Sequence, residues 1–295
     1  MAISDNLRGT LYMNLSMFAF TVNDTIVKVV TSTVPLYQTI ALRGAVAVLG
    51  LLIVAAMTRS FTLAIPPRDR WLIGLRSLAD VAATIFFLSA LMRMPIANLS
   101  AVMQATPLAV TLGAALYFKD KVGWRRMAAI FIGFMGVMLI IRPGSDGFDF
   151  WAIMGLCAVA AVVVRDLAVR PLGNAVPSMM VALGAGVAVM LMGAIGAAFQ
   201  GWNAISLREA ALIGSAGIML IIGYICAVTA MRVGDVGVVA PFRYTSLLWA
   251  IVLGWVAFGT LPDHYAVIGS GIVVATGLYT LLRERKLSRA KAAAA

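Results

Sequence analysis

Long apolar runs recur along the whole chain and are separated by short polar connections. Each run is about 18–23 residues long, which lets a helix cross the ~30 Å hydrocarbon core of a bilayer. The runs lack alternation at every second residue, so membrane helices are predicted and barrel strands are excluded. We expect an all-α integral membrane protein with about ten transmembrane helices, at residues 10–30, 36–58, 71–92, 96–118, 126–141, 149–169, 177–199, 209–231, 236–258 and 264–282.

Composition supports a membrane protein and excludes a soluble domain. Of the 295 residues, 62% are hydrophobic and 12% are charged, whereas soluble domains carry about 25% charged residues. Most of the 23 Lys and Arg residues fall in alternate loops and in the C-terminal tail, and the other loops hold only Arg93, Arg142 and Arg208. The positive-inside rule therefore predicts that both termini face the cytoplasm. The net charge of +11 favours contact with anionic membrane lipid, and no nucleic-acid partner is expected.

The second half of the chain repeats the first. A shift of 142 residues places Asn23-Asp24 on Arg165-Asp166 and Lys28 on Arg170. A shift of 139 places "AVMQATP", from Ala101, on "APFRYTS", from Ala240. Five spans in each repeat force the second copy to enter the membrane from the opposite side. We therefore predict two inverted five-helix repeats, residues 1–142 and 143–283, followed by a basic cytoplasmic tail at 284–295, and inverted repeats are typical of alternating-access transporters.

Four stretches carry a family resemblance: "GAVAVLG" after Arg43, "ALMRMPIANLSAVMQATPLAVTLGAALYFKDKVGWRRMAAIFIGFMGVMLI", "VGVVAPFRYTSLLWAIVLGWVAFGTLPD" and "IGSGIVVATGLY". They resemble the ten-helix, two-repeat permeases of the drug/metabolite transporter superfamily, and the overall run is most similar to the bacterial aromatic amino acid exporters. The acidic residue that members often carry after the fourth helix is Asp120, but its counterpart in the second half is Thr260. The resemblance implies export of small metabolites across a bacterial inner membrane, with amino acids as the expected solutes.

Polar and aromatic residues inside the apolar spans are the candidates for a substrate cavity. A charge at mid-bilayer costs about 2.5–3.5 kcal/mol on insertion scales, so such residues face a cavity or a partner. The alternatives are structural: Asp24 and Lys28 as a helix-end pair, Asp80 paired with Arg76 or Arg43, Gln104 bonded to a neighbouring helix, and the aromatic rings as core packing. The predicted cavity set is Asn14, Asp24, Arg43, Asp80, Gln104, Tyr224, Arg243, Tyr244 and Trp249.

Two prolines and three charged residues suggest moving parts. Pro107 and Pro241 lie within the fourth and ninth predicted spans, where a missing backbone N–H is expected to bend each helix. Lys28 near the outer end of the first span, and Asp166 and Arg170 near the inner end of the sixth, are predicted to border two gates on opposite faces of the membrane. A charged group near a helix end is stable when it is hydrated and also when it is paired with a partner. It therefore suits a gate that is open to water in one state and closed in the other.

The remaining residues offer no chemistry for catalysis. Cys157 and Cys226 are isolated and His264 is the only histidine, so neither a metal site nor a cofactor is predicted. Phosphate-binding and hydrolase motifs are missing. The leading interpretation is a secondary transporter of a small-molecule solute, with a membrane enzyme on lipid-linked substrates or a passive channel as alternatives. Because the fused repeats supply both halves of a pathway, a monomer is expected to suffice.

Overall fold

The computed structural model describes residues 5–57, 67–119, 123–142, 150–171 and 178–293, and every regular element in these ranges is a helix. The acidic residue Asp120 lies outside the described residues. In chain order the α-helices are α1 Asp5–Val30, α2 Leu36–Met57, α3 Pro67–Arg93, α4 Ile96–Met103, α5 Thr106–Tyr117, α6 Trp124–Ile141, α7 Phe150–Val169, α8 Ser178–Gln200, α9 Leu207–Val233, α10 Val236–Val239, α11 Thr245–Phe258 and α12 His264–Ala293, and a 3₁₀ helix at Ala240–Tyr244 joins α10 to α11.

Nine spans in the described part of the chain are long and apolar enough to cross a membrane. They are Leu36–Met57, Asp69–Arg93, Ile96–Tyr117, Trp124–Ile141, Phe150–Val169, Met180–Gln200, Leu207–Val233, Ala240–Phe258 and His264–Arg283. Each matches a predicted span, so the protein is a multi-pass, all-helical membrane protein. Helix α1 contains the remaining predicted span, 10–30, and begins five residues earlier, but its polar residues, among them Asn23, Asp24 and Lys28, keep it out of these nine.

The last helix is longer than its apolar part. Helix α12 continues to Ala293, through the segment predicted as a basic tail from residue 284. That segment is rich in Leu, Arg, Lys, Glu and Ala, which are strong helix formers. The helix therefore extends past the point where the hydrophobic span ends.

The chain divides into two compact units, and neither coincides with a predicted repeat. Each unit combines segments from both halves of the chain. Unit 1 comprises Met1–Thr21, Met94–Leu156 and Gly223–Ala295, and unit 2 comprises Val22–Arg93 and Cys157–Ile222.

In unit 1, helices pack against the helices predicted to be their repeat counterparts. Helix α6 packs along α12, and α4 packs on α11. The first pair is close: a Cβ added at Gly136 would lie 2.9 Å from the backbone oxygen of Gly269, and one added at Gly269 would lie 2.6 Å from that of Gly136. Small residues allow such an approach between membrane helices, where dispersion contacts replace the hydrophobic effect as the driving force.

Unit 2 follows the same rule. Helix α2 packs along α8, its predicted counterpart, and α3 also packs against α8. A Cβ added at Gly44 would lie 3.0 Å from the Cβ of Met190, and Gly186 approaches Val48. Leu51 and Leu183 are buried in the same cluster as Val48.

Candidate functional site

Two helices of unit 1 are interrupted within the span of the membrane, at matching positions. Helix α4 ends at Met103 and α5 begins at Thr106, and the residues between them, Gln104 and Ala105, have ψ angles of −14° and −12°. The second interruption is the 3₁₀ helix Ala240–Tyr244 before α11, where Tyr244 has a ψ of −14°. The shift of 139 residues places one interruption on the other.

Proline chemistry explains the first interruption. Pro107 is the second residue of α5 and has no backbone N–H to bond the carbonyl four residues earlier, at Met103. The hydroxyl of Thr106 donates to that carbonyl instead, at 2.6 Å. The second interruption contains Pro241 in its 3₁₀ helix.

The same kind of side-chain contact occurs at both interruptions. Thr245 donates its hydroxyl to the carbonyl of Phe242 at 2.7 Å, and the 139-residue shift carries Thr106 and Met103 onto this pair. Irregular backbone at membrane depth is tolerated only where it is buried in protein or lines a cavity.

Polar side chains of three helices meet beside these interruptions. Gln104 is buried, and its Nε2 donates to the hydroxyl of Ser246 on α11 at 2.7 Å. On α1, the Oδ1 of Asn14 accepts a hydrogen bond from Trp249 Nε1 at 2.9 Å. The Trp249 ring also packs edge-on against Phe18, with 4.9 Å between centroids. Unit 1 thus contains two amides, a hydroxyl and two aromatic rings beside the broken helices.

Tyr244 occupies the end of the second interruption. It is buried, with 6% of its surface exposed, and its hydroxyl has no hydrogen-bond partner among the described residues. The hydroxyl lies against the backbone of α12, where a Cβ added at Gly277 would be 1.7 Å away. Only a glycine at position 277 accommodates this ring.

Two other members of the predicted cavity set are placed differently in unit 1. Tyr224 on α9 is 40% exposed, and its ring packs edge-on against Phe20 with 5.5 Å between centroids. Arg243 is exposed on the 3₁₀ helix. The ring contact of Tyr224 is with Phe20, away from Gln104 and Trp249, and the part of Tyr224 and Arg243 in a cavity remains a prediction.

Unit 2 holds the charged members of the set, and Asp80 lies at the centre of one cluster. Asp80 pairs with Arg76 one turn earlier on α3, at 3.4 Å, and with Arg165 on α7, at 3.3 Å. Arg165 also donates to Asp166 at 2.9 Å, and Arg76 donates to the carbonyl of Val181 at 3.1 Å. Of the structural alternatives for Asp80, the pair with Arg76 is present, and Arg165 is a second partner that the sequence pattern does not indicate.

The Asp80 cluster makes a stability prediction. Replacing Asp80 by Asn removes the negative charge that Arg76 and Arg165 share, so we expect a loss of about 2 kcal/mol for these partly buried pairs. Asp166→Asn is the matched control, and it should cost clearly less because the Arg165–Asp166 pair is more exposed to solvent. Thermal unfolding of detergent-purified protein measures both. Equal losses would contradict a central role for Asp80.

A second polar cluster in unit 2 contains Asp24 and Arg43. Arg43 is buried, with 7% of its surface exposed, and its Nη1 donates to Oδ1 of Asn23 at 3.1 Å. Asn23 in turn donates from Nδ2 to Asp24 Oδ1 at 2.9 Å. Asn23 therefore bridges the guanidinium and the carboxylate, and Arg43 is engaged within the protein in this conformation.

The gate candidates also lie in unit 2. Lys28 donates from Nζ to the carbonyl of Leu91 at 2.7 Å, and Arg170 is exposed just beyond the end of α7. Asp166 accepts a bond from the residue before it, Arg165, just as Asp24 does from Asn23, and both contacts are 2.9 Å long. The 142-residue shift superposes these two pairs in the sequence.

A polar cavity of about 400 Å³ opens beside the end of α1 in unit 2. Its lining is rich in hydroxyl and amide groups, and it includes Met92, the residue after the carbonyl that Lys28 bonds. The polar lining residues are Thr31, Ser32, Thr33, Tyr37, Ser89, Gln200 and Asn203.

No three His, Cys, Asp or Glu side chains in the described ranges are grouped so that they could hold a metal ion. Cys157 and Cys226 are both free thiols. The chemistry at both sets of residues is that of hydrogen bonding, ion pairing and aromatic contact.

Sequence reasoning missed three participants. Ser246, Phe18 and Arg165 each contact a predicted site residue. The sequence repeat indicates two of them in part, because the shift of 139 residues places Pro107 on Ser246 and the shift of 142 places Asn23 on Arg165. Phe18 had no such signal within an apolar helix.

Comparison with known proteins gives relatives that are transporters. The chain is 23% identical to the pseudopaline exporter CntI of Pseudomonas aeruginosa over 288 residues, covering 94% of this chain and 97% of that protein. It is 28% identical to a riboflavin transporter of Vibrio cholerae over 193 residues, 64% of this chain and 63% of that protein. An S-adenosylmethionine uptake transporter of Rickettsia prowazekii is 24% identical over 200 residues, covering 67% of each chain.

The fold is found in a solved crystal structure that is 20% identical in sequence. The two superpose with a TM-score of 0.64 over 95% of this chain and 98% of the other. The solute names of the relatives differ from one another, so the aromatic amino acid branch stays a prediction. Residues 7–142, which hold the first broken helix, match the EamA-like transporter family.

Proposed function

We propose that this protein is a secondary transporter of the EamA-like type that exports a small organic solute across a bacterial inner membrane by alternating access. The solute binds at the broken helices of unit 1, beside Gln104, Ser246 and Trp249. Both termini face the cytoplasm, as the distribution of Lys and Arg indicates. The match of residues 7–142 to a transporter family and the full-length similarity to an exporter support this function.

The paired interruption carries the proposal. Broken hydrophobic segments at corresponding positions of two repeats are the best sequence-level indication of a transporter binding site. Here the interruptions at Gln104–Ala105 and at Ala240–Tyr244 correspond by the 139-residue shift, and each is capped by the same threonine contact. Polar side chains converge on the same place.

Helix packing supports the two inverted repeats that alternating access requires. Three helices of the first half pack on their counterparts in the second: α2 on α8, α4 on α11, and α6 on α12. Elements that lie next to a pseudo-two-fold axis meet their own counterparts in this way. Individual contacts follow the same symmetry. A shift of 142 residues places Gly44 on Gly186 and Val48 on Met190, and Gly44 contacts Met190 just as Gly186 contacts Val48.

The solutes we propose are aromatic or bulky apolar amino acids. The Trp249 and Phe18 rings offer edge and face contacts to a flat apolar side chain. The Gln104 amide and the Ser246 hydroxyl offer a donor and an acceptor for an amino or carboxylate group. Another metabolite or drug class is the alternative, since the named relatives carry different solutes.

Counterflow in proteoliposomes tests the function. Vesicles that hold purified protein and are preloaded with unlabelled L-phenylalanine should transiently accumulate external labelled L-phenylalanine, and should accumulate labelled L-alanine less. A transporter with another solute would show counterflow only with a different preload. No counterflow with any member of an amino acid, nucleoside and vitamin panel would contradict a transport function, whereas equilibration without accumulation would indicate a channel.

The gate residue Lys28 makes a separate prediction. Lys28→Met removes the ammonium that donates to Leu91, so the end of α1 should open more often and raise the alkylation rate of a cysteine placed at Ser32, in the polar cavity. The background is Cys157→Ser/Cys226→Ser, and Arg208→Met serves as a control because Arg208 is exposed at the start of α9. Labelling unchanged by Lys28→Met would leave Lys28 as a helix-end anchor.

A further inference from the structure

A groove in unit 1, between α6 and α12, is built differently from the solute site. It has a volume of about 440 Å³ and is open on one side. Its lining is almost wholly apolar along its length and aromatic or basic at one end. The residues that define it are Trp124, Arg125, Ala128, Ile132, Ala275 and Tyr279.

The basic end of the groove lies where both helices leave the membrane. Helix α6 begins at Trp124, and the apolar span of α12 ends at Arg283. Arg125 is exposed and lies 5.4 Å from the Trp124 ring centroid. From α12, Arg283 donates to the hydroxyl of Tyr279 at 3.1 Å. Two guanidinium groups, one from each helix, therefore border the same end of the groove.

The apolar part extends from there towards the middle of the membrane. Ala128, Ile132 and Ala275 line it with small or branched aliphatic side chains. Ile132 and Ala275 are exposed on the surface of the protein. The floor is fixed by close packing of the two helices, since Gly133 on α6 approaches Thr276 on α12.

We propose that this groove binds one anionic phospholipid, with an acyl chain in the apolar slot and the phosphate at Arg125 and Arg283. A soluble phosphate would gain nothing from the apolar slot, and a lipid without net charge would gain little from two arginines. Trp and Tyr at the rim suit the headgroup level, where amphipathic rings are favoured. Charge complementarity thus selects one occupant.

Native mass spectrometry of the delipidated full-length protein tests the site, with phosphatidylglycerol and phosphatidylcholine of identical acyl chains as probes. The wild type should bind phosphatidylglycerol about fivefold or more tightly than phosphatidylcholine, given the worth of a single arginine near a charged lipid surface. Arg125→Ala should lower phosphatidylglycerol affinity about fivefold. Ala275→Trp, which fills the slot and keeps the charges, should weaken the binding of both lipids. Arg125 and Ala275 are both exposed, so both variants should fold.

The control is Arg232→Ala, which removes an exposed arginine of unit 1 that does not line the groove. It should bind both lipids like the wild type. Equal affinities of the wild type for the two lipids would overturn the proposal, as would an Arg232→Ala loss equal to that of Arg125→Ala. Full retention of phosphatidylglycerol by Ala275→Trp would also overturn it, because the arginines would then be binding a phosphate group alone.

Discussion

Gly277→Ala is expected to destabilise the protein and to abolish most solute transport. The new methyl group would lie 1.7 Å from the Tyr244 hydroxyl and 2.6 Å from its Cζ, so the ring has to move. Overpacking of this kind costs about 1–3 kcal/mol. Tyr244 ends the second helix interruption, and its displacement should therefore disturb the solute site as well as the packing of α12. Thermal unfolding and proteoliposome counterflow measure the two effects.

Gly271→Ala is the matched control on the same helix. A Cβ at position 271 meets no atom within 4 Å, so this substitution should leave both stability and transport unchanged. The double variant Tyr244→Ala/Gly277→Ala should show that Gly277→Ala costs little once the ring is gone, because neighbouring effects are not additive. If Gly277→Ala costs the same with and without the Tyr244 ring, the contact is not the cause.

Trp249→Ala is expected to reduce transport of L-phenylalanine strongly. The substitution removes the hydrogen bond to Asn14 and the edge-on contact with Phe18. The contact that we propose between this ring and the side chain of the solute is worth about 1.5 kcal/mol, so its loss corresponds to about tenfold weaker binding. Trp249→Phe keeps a ring but loses the N–H, so its activity should lie between those of Trp249→Ala and the wild type.

Trp255→Ala is the matched control, because it removes a ring of the same size from the same helix. Trp255 lies on α11 as well but is 60% exposed, so its loss should leave transport near the wild-type level. Small solutes should be affected less than L-phenylalanine by Trp249→Ala, since they have no ring to stack. Equal losses for L-alanine and L-phenylalanine would indicate that Trp249 has a packing role only.

The helices of this protein could be predicted because an apolar run long enough to cross a membrane has to be helical. A run such as 36–58 has to form a helix in lipid, where every backbone polar group needs a partner within the segment, and α2 is found at Leu36–Met57. Pro107 likewise indicates an interruption, because it cannot donate to Met103. What the pattern missed is the 3₁₀ form of the second interruption.

The partners of the site residues could not be read from the pattern. Asp80 pairs with Arg165 across two helices, and that choice depends on how α3 and α7 pack, which no local periodicity encodes. The Trp249–Asn14 bond joins residues 235 positions apart. The compact units differ from the sequence repeats for the same reason, since counterpart helices such as α2 and α8 pack on one another while the repeats are contiguous in the chain.

Equilibrium binding of tritiated L-phenylalanine to purified protein, measured by scintillation proximity, tests the central claim that the solute binds at the broken helices of unit 1. Gln104→Leu removes the amide that meets Ser246 and should weaken binding about tenfold, the worth of a buried hydrogen bond to a charged group. Trp255→Ala should bind like the wild type. Wild-type affinity in Gln104→Leu, with specific binding established in the wild type, would contradict the account and place the solute elsewhere in the protein.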